Sequence, residues 1–324
     1  MKRRLILAAT AVLALVSACS PAPTGTTTSS ADTGVLRIGP LATLNLLTLN
    51  QADGGLAKEV EAAGGSVQWS PPFAAFAPAA QALTAGQIDL TSGSTTSLVT
   101  ALETNPDLVA FAVEENDNDT QGIVAAPGKN IATLADLVGK TVAVNKGGTG
   151  EYLLLQALAS AGIPADAVTR TYLSPQDAAT AFSSGQVDAW ATWDQYLAAA
   201  KTTEGAKVVA LAKDVGAANR TIHVVSRAFL TAHPAQVAAV YRALQAEAAK
   251  AAADPDYLAA AYRAKGASDA VAAAIKAVRP PRIVPADATI QAEFAQVARF
   301  YQTSGLAPGL VDTSRSTVDA TTLR

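Results

Sequence analysis

Short apolar runs alternate with longer helical stretches through most of this chain, and that alternation leaves few architectures open to it. Val35–Gly39 (V-L-R-I-G) reads as a strand and Leu46–Ala63 as a helix stopped by Gly64-Gly65. Ser66–Trp69 is a second strand, Ala75–Thr84 a helix closed by Gly86, and Ile88–Leu90 a third strand. A hydroxyl-rich loop at Thr91–Ser97, a helix to about Glu103 and a strand at Leu108–Glu114 complete the set. The order β-α-β-α-β-α-β predicts a mostly parallel sheet covered by helices.

A second set begins near residue 122. Its strands are Ile123–Ala126, Thr141–Asn145, Val168–Leu173, Val187–Thr192 and Lys207–Leu211. Helices at Glu151–Ala161, Ser174–Phe182 and Trp193–Ala200 lie between them, and Ser174-Pro175 supplies an N-cap and a first-turn proline. From Thr221 the pattern changes to one strand, Ile222–Ser226, and then helices at Pro234–Ala253, Asp256–Lys265, Asp269–Val278 and Asp287–Ser304. One phrase occurs twice: Gly86-Gln87-Ile88-Asp89-Leu90 and Gly185-Gln186-Val187-Asp188-Ala189. Each copy follows a helix and enters a strand late in its own set. The repetition reads either as a shared helix-stop signal or as the mark of two lobes built alike.

The N-terminus carries a different message. Lys2, Arg3 and Arg4 precede the apolar run Leu5–Val16, which ends in Val16-Ser17-Ala18-Cys19. A basic start, a short apolar stretch and small residues before a cleavage point make a secretory leader over residues 1–18. The run is too short for a membrane-spanning helix, which needs about 20 apolar residues. Cys19 is the only cysteine, so it forms no intrachain disulfide and no cysteine cluster. Its position resembles the lipidation site of bacterial lipoproteins. The rest of 19–34 is Ser, Thr, Pro, Ala and Gly with almost no charge, a composition suited to a tether.

Composition removes several functions. Without its leader the chain loses three of 24 basic residues and none of 27 acidic ones, leaving a formal charge of −6. An acidic body has no electrostatic footprint for nucleic acid. Two histidines, His223 and His233, are too few for a His-rich metal site, and no H-E-x-x-H, G-x-S-x-G or G-x-x-x-x-G-K-[ST] occurs. No cofactor and no catalytic group is expected.

Candidate binding residues sit where strands run into loops, since ligands of open α/β sheets bind beyond the carboxyl ends of the strands. These are Thr43 and Asn45 in the loop Pro40–Asn45; Ser94, Thr95 and Thr96; and Gly148, Thr149 and Gly150 after Lys146-Gly147. Helix starts offer free N–H groups and a favourable dipole for anions. The same Ser and Thr residues also serve as helix caps, and both readings stand for Thr95, Thr96 and Thr149. Trp193 and Asp194 open a helix, where Trp193 is either a pocket wall or core. Glu114, with Glu115, receives an amine or is solvated. Lys146, Arg220 and His223 are further charge partners.

Three phrases together resemble one family: K-G-G-T-G-E-Y-L-L-L-Q-A-L-A-S-A-G-I (Lys146–Ile163), T-Y-L-S-P-Q-D-A-A-T-A-F-S-S-G-Q-V-D-A-W-A-T-W-D (Thr171–Asp194) and R-P-P-R-I-V-P (Arg279–Pro285). The chain resembles the aliphatic sulfonate, taurine and nitrate group of ABC-transporter substrate-binding proteins, nearest the alkanesulfonate type. The resemblance implies a type II periplasmic-binding-protein fold, with two α/β lobes hinged around a ligand cleft. Lobe one would be 35–121 plus 219–324, and lobe two 122–218. It implies a monomeric lipoprotein, anchored by Cys19 at the cell surface or in the periplasm, that hands a small solute to a membrane permease driven by an ATPase. It puts ligand contacts at Thr43, Ser94–Thr96, Gly148–Gly150 and Trp193-Asp194. Glu151 departs from the serine-rich pattern there: it repels a sulfonate if it faces the cleft, or favours the helix dipole if it does not. Two other readings stay open: a ligand-sensing module, and an enzyme on the same fold resembling a pyrimidine-precursor synthase.

Overall fold

The computed structural model describes residues 34–117, 119–217 and 219–324; the leader, Cys19 and the tether up to residue 33 lie outside the described residues. The strands are β1 (Val35–Gly39), β2 (Ser66–Trp69), β3 (Leu90–Ser94), β4 (Leu108–Glu115), β5 (Gln121–Ala125), β6 (Thr141–Val144), β7 (Thr169–Tyr172), β8 (Ala189–Trp193), β9 (Lys207–Leu211), β10 (Thr221–Ser226) and β11 (Arg282–Pro285). The helices are α1 (Leu46–Asp53), α2 (Gly55–Ala62), α3 (Phe76–Thr84), α4 (Thr95–Leu102), α5 (Thr149–Ser160), α6 (Pro175–Ser183), α7 (Asp194–Thr202), α8 (Arg227–Ala232), α9 (Pro234–Ala253), α10 (Tyr257–Ala264), α11 (Asp269–Lys276) and α12 (Ala288–Thr303).

Two sheets organise these elements. One has the order β2-β1-β3-β10-β4-β11 and the other β7-β6-β8-β5-β9. In the first, β1 runs parallel to β2 and β3, while β10 runs antiparallel between β3 and β4, and β11 antiparallel to β4. In the second, β6 is parallel to β7 and β8, and β5 is antiparallel to β8 and β9. The chain passes from the first sheet to the second between β4 and β5 and returns between β9 and β10. The α/β class expected from the alternation is the class observed. β4 reads L-V-A-F-A-V because both faces of its sheet are covered, and those six residues are buried. A continuous core cluster runs from Leu98, Val113 and Phe294 to Ile123, Val142 and Leu153, so the two sheets share packed apolar side chains.

The repeated G-Q-[IV]-D phrase does the same work in both sheets. Asp89 N–H donates to Arg37 O (2.7 Å), and its Oδ2 accepts from Arg37 N–H (2.9 Å). Asp188 N–H donates to Thr141 O (2.8 Å), and its Oδ2 accepts from Thr141 N–H (2.9 Å). Each aspartate thus clasps the backbone of the neighbouring strand just before its own strand begins. A cation backs each carboxylate: Arg37 at 2.6 Å from Asp89 and Lys129 at 3.0 Å from Asp188. The Thr141 N–H, then Lys129, hold the Asp188 carboxyl below the usual carboxylate range.

Three local expectations are corrected. The helix expected over Leu46–Ala63 is two helices, because Gly54 takes a left-handed φ of 74° that ends α1 and begins α2. The loop expected at Thr91–Ser97 is half strand and half helix: its buried hydroxyls find partners, as Thr91 Oγ1 donates to Gly39 O (2.6 Å). The C-terminal region holds a second strand, β11, on the edge of the first sheet, and a short helix, α8.

Asp188→Ala is expected to destabilise the fold by about 1.5–3 kcal/mol at pH 7, the range for a hydrogen bond to a charged group. Because the folded carboxyl titrates low, that loss should be full above about pH 5 and shrink as acid protonates the wild-type side chain. Urea melts of both proteins at pH 7 and pH 3 measure it; a pH-independent difference contradicts the clasp.

Candidate functional site

A cavity of about 100 Å³ lies where elements of the two sheets meet. Its walls are the start of α1, the end of β4 and the crossing that follows it, α7, α10, α11 and the segment Val278–Pro281. The apolar part of the lining is Leu46, Leu49, Leu197, Leu258, Ile275 and Val278, and the polar part includes Asn45, Glu114, Asp119, Asp194 and Tyr262. Asn45 Oδ1 accepts from Thr48 N–H (3.0 Å) and Asn45 N–H donates back to Thr48 Oγ1 (2.9 Å), a capping box that fixes the angle at which α1 enters the site.

Glu114 is 5% exposed and is held from behind. Its Oε1 accepts from Leu46 N–H (3.0 Å) and lies 3.1 Å from His223 Nε2. His223 Nδ1 lies 3.1 Å from Ser92 Oγ, and both residues are fully buried. A carboxylate only accepts, so in a neutral ring Nε2 carries the proton and Nδ1 accepts from the serine hydroxyl. The chain Ser92–His223–Glu114 therefore orients a carboxylate toward the cavity.

Asp194 faces the same space from α7. Its backbone sits at φ 44°, in the left-handed region that non-glycine residues seldom occupy. Asp194 N–H donates to Thr120 O (2.6 Å), tying α7 to the chain crossing. Burial, and secondarily the nearby Glu114 charge, push the Asp194 carboxyl up to about 7. The Tyr262 hydroxyl is pushed well above its usual value by burial, with Asp194 and Glu114 adding to the effect, so it stays an uncharged donor. Asp119 Oδ1 is buried with no hydrogen-bond partner. A charged or polar oxygen in that condition costs free energy until a donor reaches it.

Of the residues marked in the sequence, the fold brings Asn45, Asp194 and Glu114 to this cavity and leaves the others off its lining. Thr43 lies in a neighbouring groove with Gln195 and Lys265, hydrogen-bonded to Tyr196. The Trp193 ring packs edge-on against Tyr196 at 5.9 Å. Ser94–Thr96 and Gly148–Gly150 come together, but as a buried joint. Asn219 Oδ1 accepts from Thr96 N–H and Oγ1 (both 3.2 Å), and Asn219 Nδ2 donates to Thr149 Oγ1 (3.0 Å) and Gln121 Oε1 (3.3 Å). Ser94 Oγ caps α4 at Ser97 N–H (3.2 Å). Gly150 admits a close approach: a Cβ there would sit 2.3 Å from Ala191 O. Sequence reasoning missed Asn219 and Asp119, which carry no motif; their only signal is their place in the two crossings.

Three charged candidates are engaged elsewhere. Glu151 accepts from Gly147 N–H (2.7 Å), Tyr172 OH (2.6 Å) and Arg170 (3.1 Å), which answers the question of its orientation in favour of the helix start. Arg220 makes two bonds to Glu293 (2.8 and 2.9 Å) and lies 3.6 Å from Glu115. His223 stands behind Glu114, out of reach of the cavity.

A carboxyl whose folded pKa is raised weakens the fold as pH climbs. Below about pH 4 both states hold the proton; between about 4 and 7 the unfolded state releases it first; above 7 the loss is complete. Asp194→Asn, which also tolerates the left-handed backbone, is expected to raise the melting temperature at pH 8 and to leave it unchanged at pH 4. Equal shifts at both pH values contradict a raised Asp194.

Comparison with known proteins bears on this site. A family model described as NMT1/THI5 like matches residues 61–257. The chain is 32% identical over 236 residues to a protein of Escherichia coli (strain K12) named for the binding of aliphatic sulfonates, covering 72% of this chain and 73% of that one. It superimposes on the alkanesulfonate-binding protein SsuA from Xanthomonas axonopodis pv. citri bound to MOPS with a TM-score of 0.82 at 26% identity, covering 88% of this chain and 98% of that one. For the periplasmic aliphatic sulphonate binding protein SsuA from Escherichia coli the TM-score is 0.76 at 28% identity, covering 87% and 91%. The family match takes in strands of both sheets, from β2 to β10, with Glu114 and Asp194 among its residues, and on it the chain belongs to the NMT1/THI5-like family, with the periplasmic-binding-protein fold.

Proposed function

We propose that this chain is the extracytoplasmic solute-binding component of an ABC importer, which captures a small organic anion or zwitterion of the sulfonate class and delivers it to a membrane permease. The observation that carries the reading is the cavity lined both by elements of the first sheet and by α7 of the second set, with a few polar groups set among apolar walls. The names of the sulfonate-binding relatives agree with it. Each sheet with its helices acts as a lobe, 35–121 plus 219–324 and 122–218, and the two crossings act as the hinge. Ligand that touches both lobes favours the closed arrangement, and the permease reads that arrangement.

Within this reading Asp194 and Glu114 touch the ligand directly. Thr43, Ser94–Thr96, Gly148–Gly150 and Trp193 contribute as the lobes close, with Asn219 joining the hydroxyls of α4 and α5. Cys19 carries the lipid, and the segment after it lets a monomeric body stand off the membrane outside the cytoplasm. Binding is reversible, one solute per chain, without turnover.

A thermal-shift panel of the body from Gly34 onward tests this. A ligand that binds only the native state raises the melting temperature with concentration, by about 2.7 kcal/mol of stabilisation at a hundredfold excess over its dissociation constant. Alkanesulfonates or taurine are expected to give a rise of several degrees, and nitrate and sulfate little. No rise with any sulfonate overturns the assignment.

A further inference from the structure

The charges that line the cavity differ in exposure by sign. The acids Glu114, Asp119 and Asp194 are buried or half-buried, and the cations Lys201 and Arg279 are exposed, which marks the side open to water as the mouth. Lys201 makes no ion pair among the described residues, and Arg279 pairs only with the half-exposed Asp117, a contact worth little in water. The lining also has an aliphatic part, with Leu46, Leu197 and Ile275. We propose that the cavity orients an aminoalkanesulfonate with its ammonium inward, on the carboxylates of Glu114, Asp119 and Asp194, and its sulfonate at the mouth, on Lys201 and Arg279. This assignment rests on the sulfonate-class reading above and selects within it.

The physical argument is one of desolvation. An alkanesulfonate entering head first brings a fixed negative charge to buried carboxylates in a low-dielectric space. Entering tail first, it strips water from the same carboxylates and offers no donor, which leaves Asp119 Oδ1 as unsatisfied as before. An ammonium has three donors and no acceptor. It reaches the unpaired Asp119 oxygen and compensates the crowding of Glu114 and Asp194. The sulfonate then ends near two cations that keep their water, where direct and water-mediated hydrogen bonds are both open to it.

Titration calorimetry with three probes of equal chain length decides the matter: taurine, ethanesulfonate and ethylamine, on wild-type protein, on K201Q/R279Q and on D194N. Wild type is expected to bind taurine at least about tenfold tighter than either singly charged probe. K201Q/R279Q should lose about tenfold for taurine while its ethylamine affinity stays within about twofold. D194N should lose affinity for taurine and ethylamine alike and keep any affinity for ethanesulfonate. Ethanesulfonate binding as tightly as taurine, or K201Q/R279Q binding taurine unchanged, overturns the orientation and leaves the sulfonate-class reading standing. Binding of none of the three overturns both. The K201Q/R279Q pair is exposed, and its melting temperature checks that the fold is retained.

Discussion

One buried amide holds the two sheets in register. Asn219 is 1% exposed and uses both ends of its side chain: the oxygen takes two bonds from Thr96 at the start of α4, and the nitrogen serves Thr149 at the start of α5 and Gln121 at the start of β5. Gln121 Nε2 returns a bond to Asn219 O (2.8 Å). Both chain crossings and one helix from each side therefore meet at a single residue. An amide has both donors and acceptors, so it is suited to such a junction, and in a buried place its partners are strongly specified. The crossing after β4 also lines the cavity, through Asp119 and Thr120, so the cavity's shape depends on that junction.

The cavity shows a different balance. A raised carboxyl, a left-handed aspartate backbone and an unpartnered carboxylate oxygen each cost the fold stability. They occur together at Asp119 and Asp194, next to a glutamate that a histidine and a serine hold in place. Other buried or half-buried acids have partners: Asp89 and Asp188 clasp strands, Glu151 closes the turn before α5, and Glu247 is bonded to Lys250 and Tyr257. Among the described residues, the buried carboxylate oxygen without a partner lies at this cavity, which supports the proposal that the cavity receives one. On the proposal made here, the sign of that charge selects a ligand that carries a cation, within a family whose relatives here are named for sulfonates.

Much of the fold was legible in the sequence. The strand–helix alternation led to the α/β class, α9 runs over the span its proline start and alanine-rich stretch indicated, and the doubled G-Q-[IV]-D phrase corresponds to doubled geometry. Boundaries slipped where local signals conflict with distant partners. Thr91-Ser92-Gly93-Ser94 looks like a loop, yet it is a strand because Gly39, His223 and β10 supply partners from far along the chain. The site was legible only in part. Strand-end reasoning located Asp194 and Glu114, and left open that Glu151 and Arg220 have partners of their own. Which way a side chain points at a helix start is decided by residues 19 to 125 positions away, such as Arg170 for Glu151 and Asn219 for Thr96. No local pattern encodes that.

The most direct measurement is proton linkage on binding. Taurine is titrated at pH 7 into the protein in two buffers of different ionisation enthalpy, and the heats are compared. If an ammonium settles on a carboxyl that titrates near 7, binding ionises it and releases about half a proton per ligand to the buffer. The observed enthalpy then changes with the buffer in the direction of release. An enthalpy that does not depend on the buffer, or one that reports proton uptake, contradicts the central claim that Asp194 is the cation-receiving group of the cavity.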